Sequence, residues 1–176
     1  MILIGFMGAG KTCVGRALSS ELGWAFEDLD QRIERQERRK IADIFRESGE
    51  AEFRRLEHEA LSSLLRDSGP RRKKVIALGG GAFVQETNEA LISAAKIPTV
   101  FLDACVEELW TRCERQSREA GIERPLMSYR ERFLGLYEQR RPRYLKASLR
   151  QETSGKTVEQ IVAELIRSLG LRAARS

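Results

Sequence analysis

The run Gly5-Phe6-Met7-Gly8-Ala9-Gly10-Lys11-Thr12 fits the pattern G-x-x-x-x-G-K-[ST], in which closely spaced glycines let backbone amides surround a phosphate. The apolar run Met1 to Ile4 precedes it, and Val14, Leu18 and Leu22 recur behind it at helical spacing. The loop is therefore expected to join a strand to a helix N-terminus, where unpaired amides and the helix dipole favour an anion. Lys11 is expected to reach the β- and γ-phosphates, and the Thr12 hydroxyl to ligate Mg²⁺. A glycine-rich turn with a chance lysine is the competing explanation, and the agreement between motif and setting weighs against it. An ATP or GTP site follows. The loop alone does not choose among kinases, switches, motors and transporters.

A second candidate is Asp28-Leu29-Asp30, just past the short strand Trp24-Ala25-Phe26. In an extended chain residues two apart point the same way, so both carboxylates can face the crevice at the strand's carboxyl end. Open parallel sheets bind ligands there. Phosphoryl transfer has use for one carboxylate near Mg²⁺ and another that accepts the acceptor hydroxyl's proton. Helix capping is an equal alternative, with Asp30 capping a helix from Gln31 and Glu34 in its first turn.

The elements that must position these groups alternate between strand-like and helical patterns, which predicts a parallel α/β sheet covered by helices. Residues 31–38 and 41–47 read as short helices, and Phe53, Leu56, Ala60, Leu61, Leu64 and Leu65 as one face of a longer helix that stops near Ser68-Gly69-Pro70. Val75 to Leu78 is a predicted strand entering Gly79-Gly80-Gly81. A helix from Glu86 to Ala95 and a strand from Thr99 to Leu102 follow, then a helix marked by Val106, Leu109, Trp110 and Cys113. Residues 114–123 are polar and are expected to form a mobile surface segment. Helical pattern returns at Phe133, Leu136 and Tyr137, a weak strand is expected at 147–150, and Val158, Ile161, Val162, Leu165 and Ile166 line a last helix. The tail from Arg172 is expected to fray. No repeat or linker divides residues 1–176, which read as one domain.

Composition excludes several classes. With 41% hydrophobic and 32% charged residues the 176-residue chain is globular rather than disordered. No apolar run approaches the roughly 20 residues of a membrane span, and Gly5 to Lys11 interrupt the N-terminal run too early for a signal peptide, so a cytoplasmic protein is expected. The net charge of +5 suits either nucleic acid or anionic substrates. Basic residues lie scattered beside Glu and Asp, and aromatics are only 7%, so no nucleic-acid partner is expected. The 3 cysteines form no CxxC pair, which suggests a reducing compartment and small core residues, with Cys105 and Cys113 buried. A lone histidine, His58, leaves little from which to build a zinc cage or a serine triad, so any metal should be hard and oxygen-bound.

The stretch Ile41-Ala42-Asp43-Ile44-Phe45 through Gly49-Glu50, Phe53-Arg54 and Glu57 resembles the IaDIFxxxGExxFRxxE segment of shikimate kinases. Further matches occur in order: the Asp28-x-Asp30 pair, Leu78-Gly79-Gly80-Gly81-Ala82, Arg124-Pro125-Leu126-Met127 in the lid position, and Arg140-Arg141-Pro142-Arg143-Tyr144, similar to R-x-P-x-Y. The resemblance covers nearly the whole chain. It implies a three-layer P-loop kinase fold, a five-stranded parallel sheet flanked by helices, with a mobile lid over about residues 114–127. It also implies ATP-dependent phosphorylation of the shikimate 3-hydroxyl, a step of aromatic amino-acid biosynthesis, with Mg²⁺ as cofactor and ATP and shikimate as partners. A monomer is expected.

Carried over by position, the resemblance places Gly8, Ala9, Gly10, Lys11, Thr12, Cys13, Arg112 and Arg124 around ATP, with Arg112 against adenine. Thr12 and Asp28 would serve the metal. Asp30 would bind a shikimate hydroxyl and act as base, Arg54 and Arg140 would clamp the carboxylate, and Gly79, Gly80 and Gly81 would line the ring. Lys11, Asp30 and Arg124 form the catalytic set. A planar guanidinium suits a carboxylate because it offers two parallel hydrogen bonds. A solvated helix face is the bland reading of Arg54 taken alone. The chain departs from the family in having Thr12-Cys13 where Ser-Thr is usual, and in a longer lid, where Arg115 or Arg118 could share the role of Arg124. Rival readings are a kinase of another small carboxylate-bearing polyol such as gluconate, and a catalytically silent binding module. A nucleotide switch would need an N-K-x-D pattern, which is absent.

Overall fold

The computed structural model describes residues 1–67, 73–120, 130–172 and 174, apart from the side chains of residues 117, 118 and 120. In chain order the elements are β1 (Ile2–Ile4), α1 (Lys11–Leu22), β2 (Ala25–Asp28), α2 (Leu29–Glu37), α3 (Ile41–Arg66), β3 (Lys74–Ala77), a 3-10 turn (Ala82–Val84), α4 (Glu86–Ala95), β4 (Thr99–Asp103), α5 (Val106–Ala120), α6 (Arg130–Tyr144), β5 (Leu149–Glu152) and α7 (Val158–Ser168). The expected break at Ser68-Gly69-Pro70 lies outside the described residues.

The strands form one sheet in the order β2-β3-β1-β4-β5, with every pairing parallel. Ile2, Leu3, Ile4, Val75, Ile76 and Ala77 are each at most 1% exposed. Central strands of a parallel sheet are covered on both faces, which is why these runs are apolar throughout instead of alternating. The edge strands differ: β2 is Ala-Phe-Glu-Asp and β5 is Leu-Arg-Gln-Glu. From β1 the chain first moves to β2 and β3 on one side, then crosses to β4 on the other, so β1 is the switch point of the sheet. Crevices for ligands open beside such a point, at the carboxyl ends of the strands. Ala77 pairs with both Leu3 and Asp28, so the loops leaving β2, β3 and β1 start on neighbouring rungs.

Helix α1 buries Val14, Leu18 and Leu22, and its Gly15 lies so close to β2 that a methyl there would come within 2.4 Å of Phe26. Its N-cap is Gly10, with no side-chain cap, so the first-turn amides remain available to a ligand. Helix α3 is broken at Gly49 (φ 79°, ψ 175°), which accounts for the two helices read from the sequence on either side of that residue. Helix α7 opens with the capping box of Thr157 and Gln160.

Three expectations need correction. The polar segment from residue 114, read without secondary structure, continues helix α5 through Ala120; its glutamates and arginines are good helix formers, and Arg115 and Glu119 pair one turn apart. Strands two and five run over 25–28 and 149–152, not 24–26 and 147–150, because edge strands carry little hydrophobic signal. Cys105 is exposed in the β4–α5 connection, as is Cys13 at the start of α1, and only Cys113 is buried.

Candidate active site

The phosphate loop is held from behind. Gly8 (φ 79°) sits against α5, where a methyl would lie 2.7 Å from the Leu109 carbonyl oxygen and 2.8 Å from Cys113 Sγ. Phe6 is buried and meets Phe133 and Tyr137 of α6 edge-on, with ring centroids 5.0 and 5.5 Å apart. Lys11 curls over the loop, its Nζ donating to the carbonyls of Gly5 at 3.0 Å and Phe6 at 2.9 Å. The ammonium is thereby kept at the mouth of the loop.

The two aspartates reach the crevice by a route the sequence reading did not foresee. β2 ends at Asp28, and Asp30 already lies in the first turn of α2. Asp28, not Asp30, caps the helix: the Gln31 backbone N–H donates to Asp28 Oδ1 at 3.2 Å. Its other oxygen accepts the Thr12 hydroxyl at 2.7 Å, so one carboxylate serves both the cap and the phosphate loop. Burial pushes the Asp30 pKa up to about 6, helped by the nearby charge of Asp28 and opposed by Lys11 and Arg54. A hydroxyl touching a carboxylate suits Mg²⁺, which keeps several waters and takes one or two protein oxygens plus phosphate. Among the described residues no cluster of three or more metal-ligating side chains offers an all-protein cage.

Across the crevice, Gly79 and Gly81 make room for side chains of two different helices. A methyl on Gly79 would lie 2.5 Å from Asp30 Oδ1, and one on Gly81 would lie 2.8 Å from Arg54 Nη1. A methyl on Gly80 would lie 3.5 Å from Met7 N of the phosphate loop and 3.9 Å from Arg140 Nη1, ordinary contact distances, and the Gly80 carbonyl accepts the Tyr144 hydroxyl. Any side chain at 79 or 81 would displace an expected substrate group. Arg54 donates through Nη1 to Glu57 at 3.0 Å and through Nη2 to Glu50 at 3.0 Å.

Glu57 and Tyr144 lay within the quoted motifs but received no role from the sequence. Glu57 is 1% exposed; burial raises its pKa, opposed by Arg54 and Arg140. Its spacing three residues after Arg54 on a helix was the available signal. Tyr144, at the end of the Arg-x-Pro-x-Tyr run, is fully buried, and burial pushes its pKa to about 12.

A cavity of about 180 Å³ joins the loop residues Met7, Gly8, Gly10, Lys11, Thr12 and Cys13 to Asp28, Asp30, Gly79 and Gly80. Larger hollows of about 360 and 570 Å³ lie by α4 and by the α2–α3 turn, away from the phosphate loop. Arg112 is beside the loop after β5, donating to Glu108 and, at 3.2 Å, to the Thr153 carbonyl. Glu108 also accepts from Gly155 N, so Arg112 belongs to a fixed cluster at that edge of the sheet. Arg124, with Pro125, Leu126 and Met127, lies outside the described residues, as do the side chain of Arg118 and the rest of the expected lid from residue 121.

A phosphate-cradling loop on one wall and two arginines on the other, with carboxylates between, define a P-loop phosphotransferase for a small anionic acceptor. The sequence model described as shikimate kinase matches residues 7–170. The shikimate kinase of Thermus thermophilus is 42% identical over 171 residues, covering 95% of this chain and 88% of that protein. That of Persephonella marina is 37% identical over 165 residues, covering 93% and 94%. The solved shikimate kinase of Acinetobacter baumannii in complex with shikimate has a TM-score of 0.82 at 30% identity, over 96% of this chain and 90% of that one. The chain belongs to the shikimate kinase family and has its three-layer P-loop kinase fold.

Proposed function

We propose that the protein transfers the γ-phosphoryl group of ATP to the 3-hydroxyl of shikimate, giving shikimate 3-phosphate and ADP. The observation that carries this reading is the seating of Asp30 and Arg54 against Gly79 and Gly81, with Arg140 beside Gly80, while Asp30, Gly79 and Gly80 share a cavity with the phosphate loop. Arg54 and Arg140 grip the substrate carboxylate and so place the ring, while Glu57 holds Arg54 in aim. Asp30 accepts the 3-hydroxyl proton as the oxygen attacks the γ-phosphorus, and the electrons of the breaking β–γ bridge leave with ADP. A carboxyl with a pKa near 6 is a better proton acceptor than an ordinary one, and is still ionised near neutral pH.

Loop amides from Gly8 to Cys13 and the Lys11 ammonium hold the phosphates, and Arg112 borders the base. Thr12 and Asp28 would hold Mg²⁺, which when bound neutralises charge on the phosphates. Arg124 is assigned to the closing lid. The set of Arg54, Gly79–Gly81 and Arg140 in the shikimate kinase family's order favours shikimate over gluconate, and the presence of Lys11 and Asp30 speaks against a silent binding module. The shared sheet and core support one domain over 1–176. Among the described residues no helix is long and apolar enough to cross a membrane, and we read the protein as a cytoplasmic monomer. ADP release measured over shikimate, quinate, gluconate and nucleoside monophosphates tests the assignment. Release with shikimate is expected, and release with gluconate but not shikimate would overturn it.

A further inference from the structure

Helix α6 carries two adjacent arginines in different settings. Arg140 lies beside Gly80 and Tyr144 on the substrate side. Arg141 turns the other way, and its Nη2 donates to Asp103 Oδ2 at 2.8 Å. Asp103 ends β4 and is 2% exposed. The same oxygen accepts Arg150 Nε of β5 at 2.8 Å, and Oδ1 lies 3.4 Å from the Tyr137 hydroxyl. The Asp103 carbonyl accepts from Thr153 N at 2.7 Å and Thr153 Oγ1 at 2.9 Å. Asp103, Tyr137, Arg141, Arg150 and Thr153 stand apart from the residues that line the phosphate-loop cavity.

A buried carboxylate must be paired, but Arg150 alone would meet that need. The second arginine adds a fixed point on another element. Phe133, Tyr137, Arg141 and Tyr144 follow one another at helical spacing along α6. They are held respectively by Phe6, by Phe6 and Ala104, by Asp103, and by the Gly80 carbonyl. Residue 140 stands one step of about 100° around the helix from 141, so the rotation of α6 set by Arg141 also sets the aim of Arg140.

We propose that Asp103 and Arg141 are positioning residues for the substrate clamp, fixing α6 so that Arg140 meets the acceptor carboxylate. The inference rests on the reading of Arg140 given above. A displacement of about 1 Å at such a contact is enough to cost up to about a hundredfold in rate.

The test is steady-state kinetics on the full chain, with shikimate and ATP varied separately. Asp103→Ala would remove the carboxylate that Arg141 and Arg150 share and endanger folding, so the principal variant is Arg141→Met, which leaves Asp103 bound to Arg150. It is expected to raise the shikimate KM about tenfold, the coupling typical of contacting residues, and to leave the ATP KM within about twofold. Arg141→Lys, which keeps a cation within reach, should recover part of the loss. In an Arg140→Met background Arg141→Met should add nothing to the loss in kcat/KM for shikimate, because there is no longer a guanidinium to aim. An unchanged shikimate KM, with or without a lower melting temperature, would overturn the proposal. So would equal rises in both KM values, or additive losses in the double variant. Wild-type protein that releases no ADP with shikimate would overturn the functional reading as well, whereas an active wild type with additive losses overturns only this inference.

Discussion

The two walls of the crevice are built on different principles. In the proposed reading the phosphate-holding part of the nucleotide wall is one continuous segment, Gly5 to Cys13, whose binding groups are mostly backbone amides at the open end of α1. The proposed acceptor wall is assembled from α2, α3, the Gly79–Gly81 loop and α6, and the charged groups assigned to it, Asp30, Arg54 and Arg140, are side chains. Backbone amides are present whatever the side chains, so the first wall tolerates substitution except where glycine or lysine is required. The second depends on each rotamer and on the partners that hold it, such as Glu57 for Arg54. It follows that variants of the acceptor wall should act on shikimate with little effect on ATP, and the reverse should hold for the loop.

The largest test of that division is Asp30→Asn. Removing the proton acceptor should lower kcat by about 10²–10⁴ while ATP affinity, measured by equilibrium titration, stays close to wild type. A large loss of ATP affinity would place Asp30 with the metal and the nucleotide wall instead. Lys11→Ala should lower kcat by roughly 10²–10³, as expected for loss of a charge aimed at the reacting phosphates, in a protein with unchanged circular dichroism. Near wild-type turnover would mean that the loop is not used in this way.

Arg54→Lys sharpens the comparison from the acceptor side. It removes one of two parallel hydrogen bonds and misplaces the charge. The cost of about 1.5–3 kcal/mol for a hydrogen bond to a charged group corresponds to a roughly 10- to 150-fold rise in the shikimate KM. The ATP KM should not move, and an analogue lacking the carboxylate should barely sense the change. The smallest expected effect belongs to Cys13→Thr, which restores a hydroxyl in the first turn of α1. One added hydrogen bond of about 0.5–1 kcal/mol should lower the ATP KM about two- to fivefold. A change in the shikimate KM instead would show that the two walls are coupled through α1.

Legibility followed the same division. The phosphate loop could be read in full because its chemistry is local: the residue types, their order and the flanking periodicities all fall within about two dozen residues. Helix α4 was also readable end to end, since a turn signal and an apolar stripe bound it. The acidic pair stood out in the sequence, but its local geometry differs from the extended run expected there. An extended run through Asp30 could not be told from a strand that stops at Asp28, because a cap residue and a strand terminus look alike in sequence. The helical continuation of α5 through Ala120 was missed for want of an apolar stripe, although its composition favoured helix.

By itself the sequence determined a phosphate-binding loop between strand and helix, an alternating α/β chain, and a set of arginines, aspartates and glycines in a family's order. Those features depend on residue type and spacing along the chain. The tertiary structure alone decided why glycines stand at 79 and 81: they yield space to Asp30 and Arg54, which come from elements far apart in sequence. It also decided that Asp28 both caps α2 and binds Thr12, and that Asp103 draws Arg141 and Arg150 onto one buried oxygen. Such relations are steric and electrostatic contacts across the switch point of a parallel sheet. They come into existence only when β2, β3, β1 and β4 lie side by side, and no local pattern of residues encodes them.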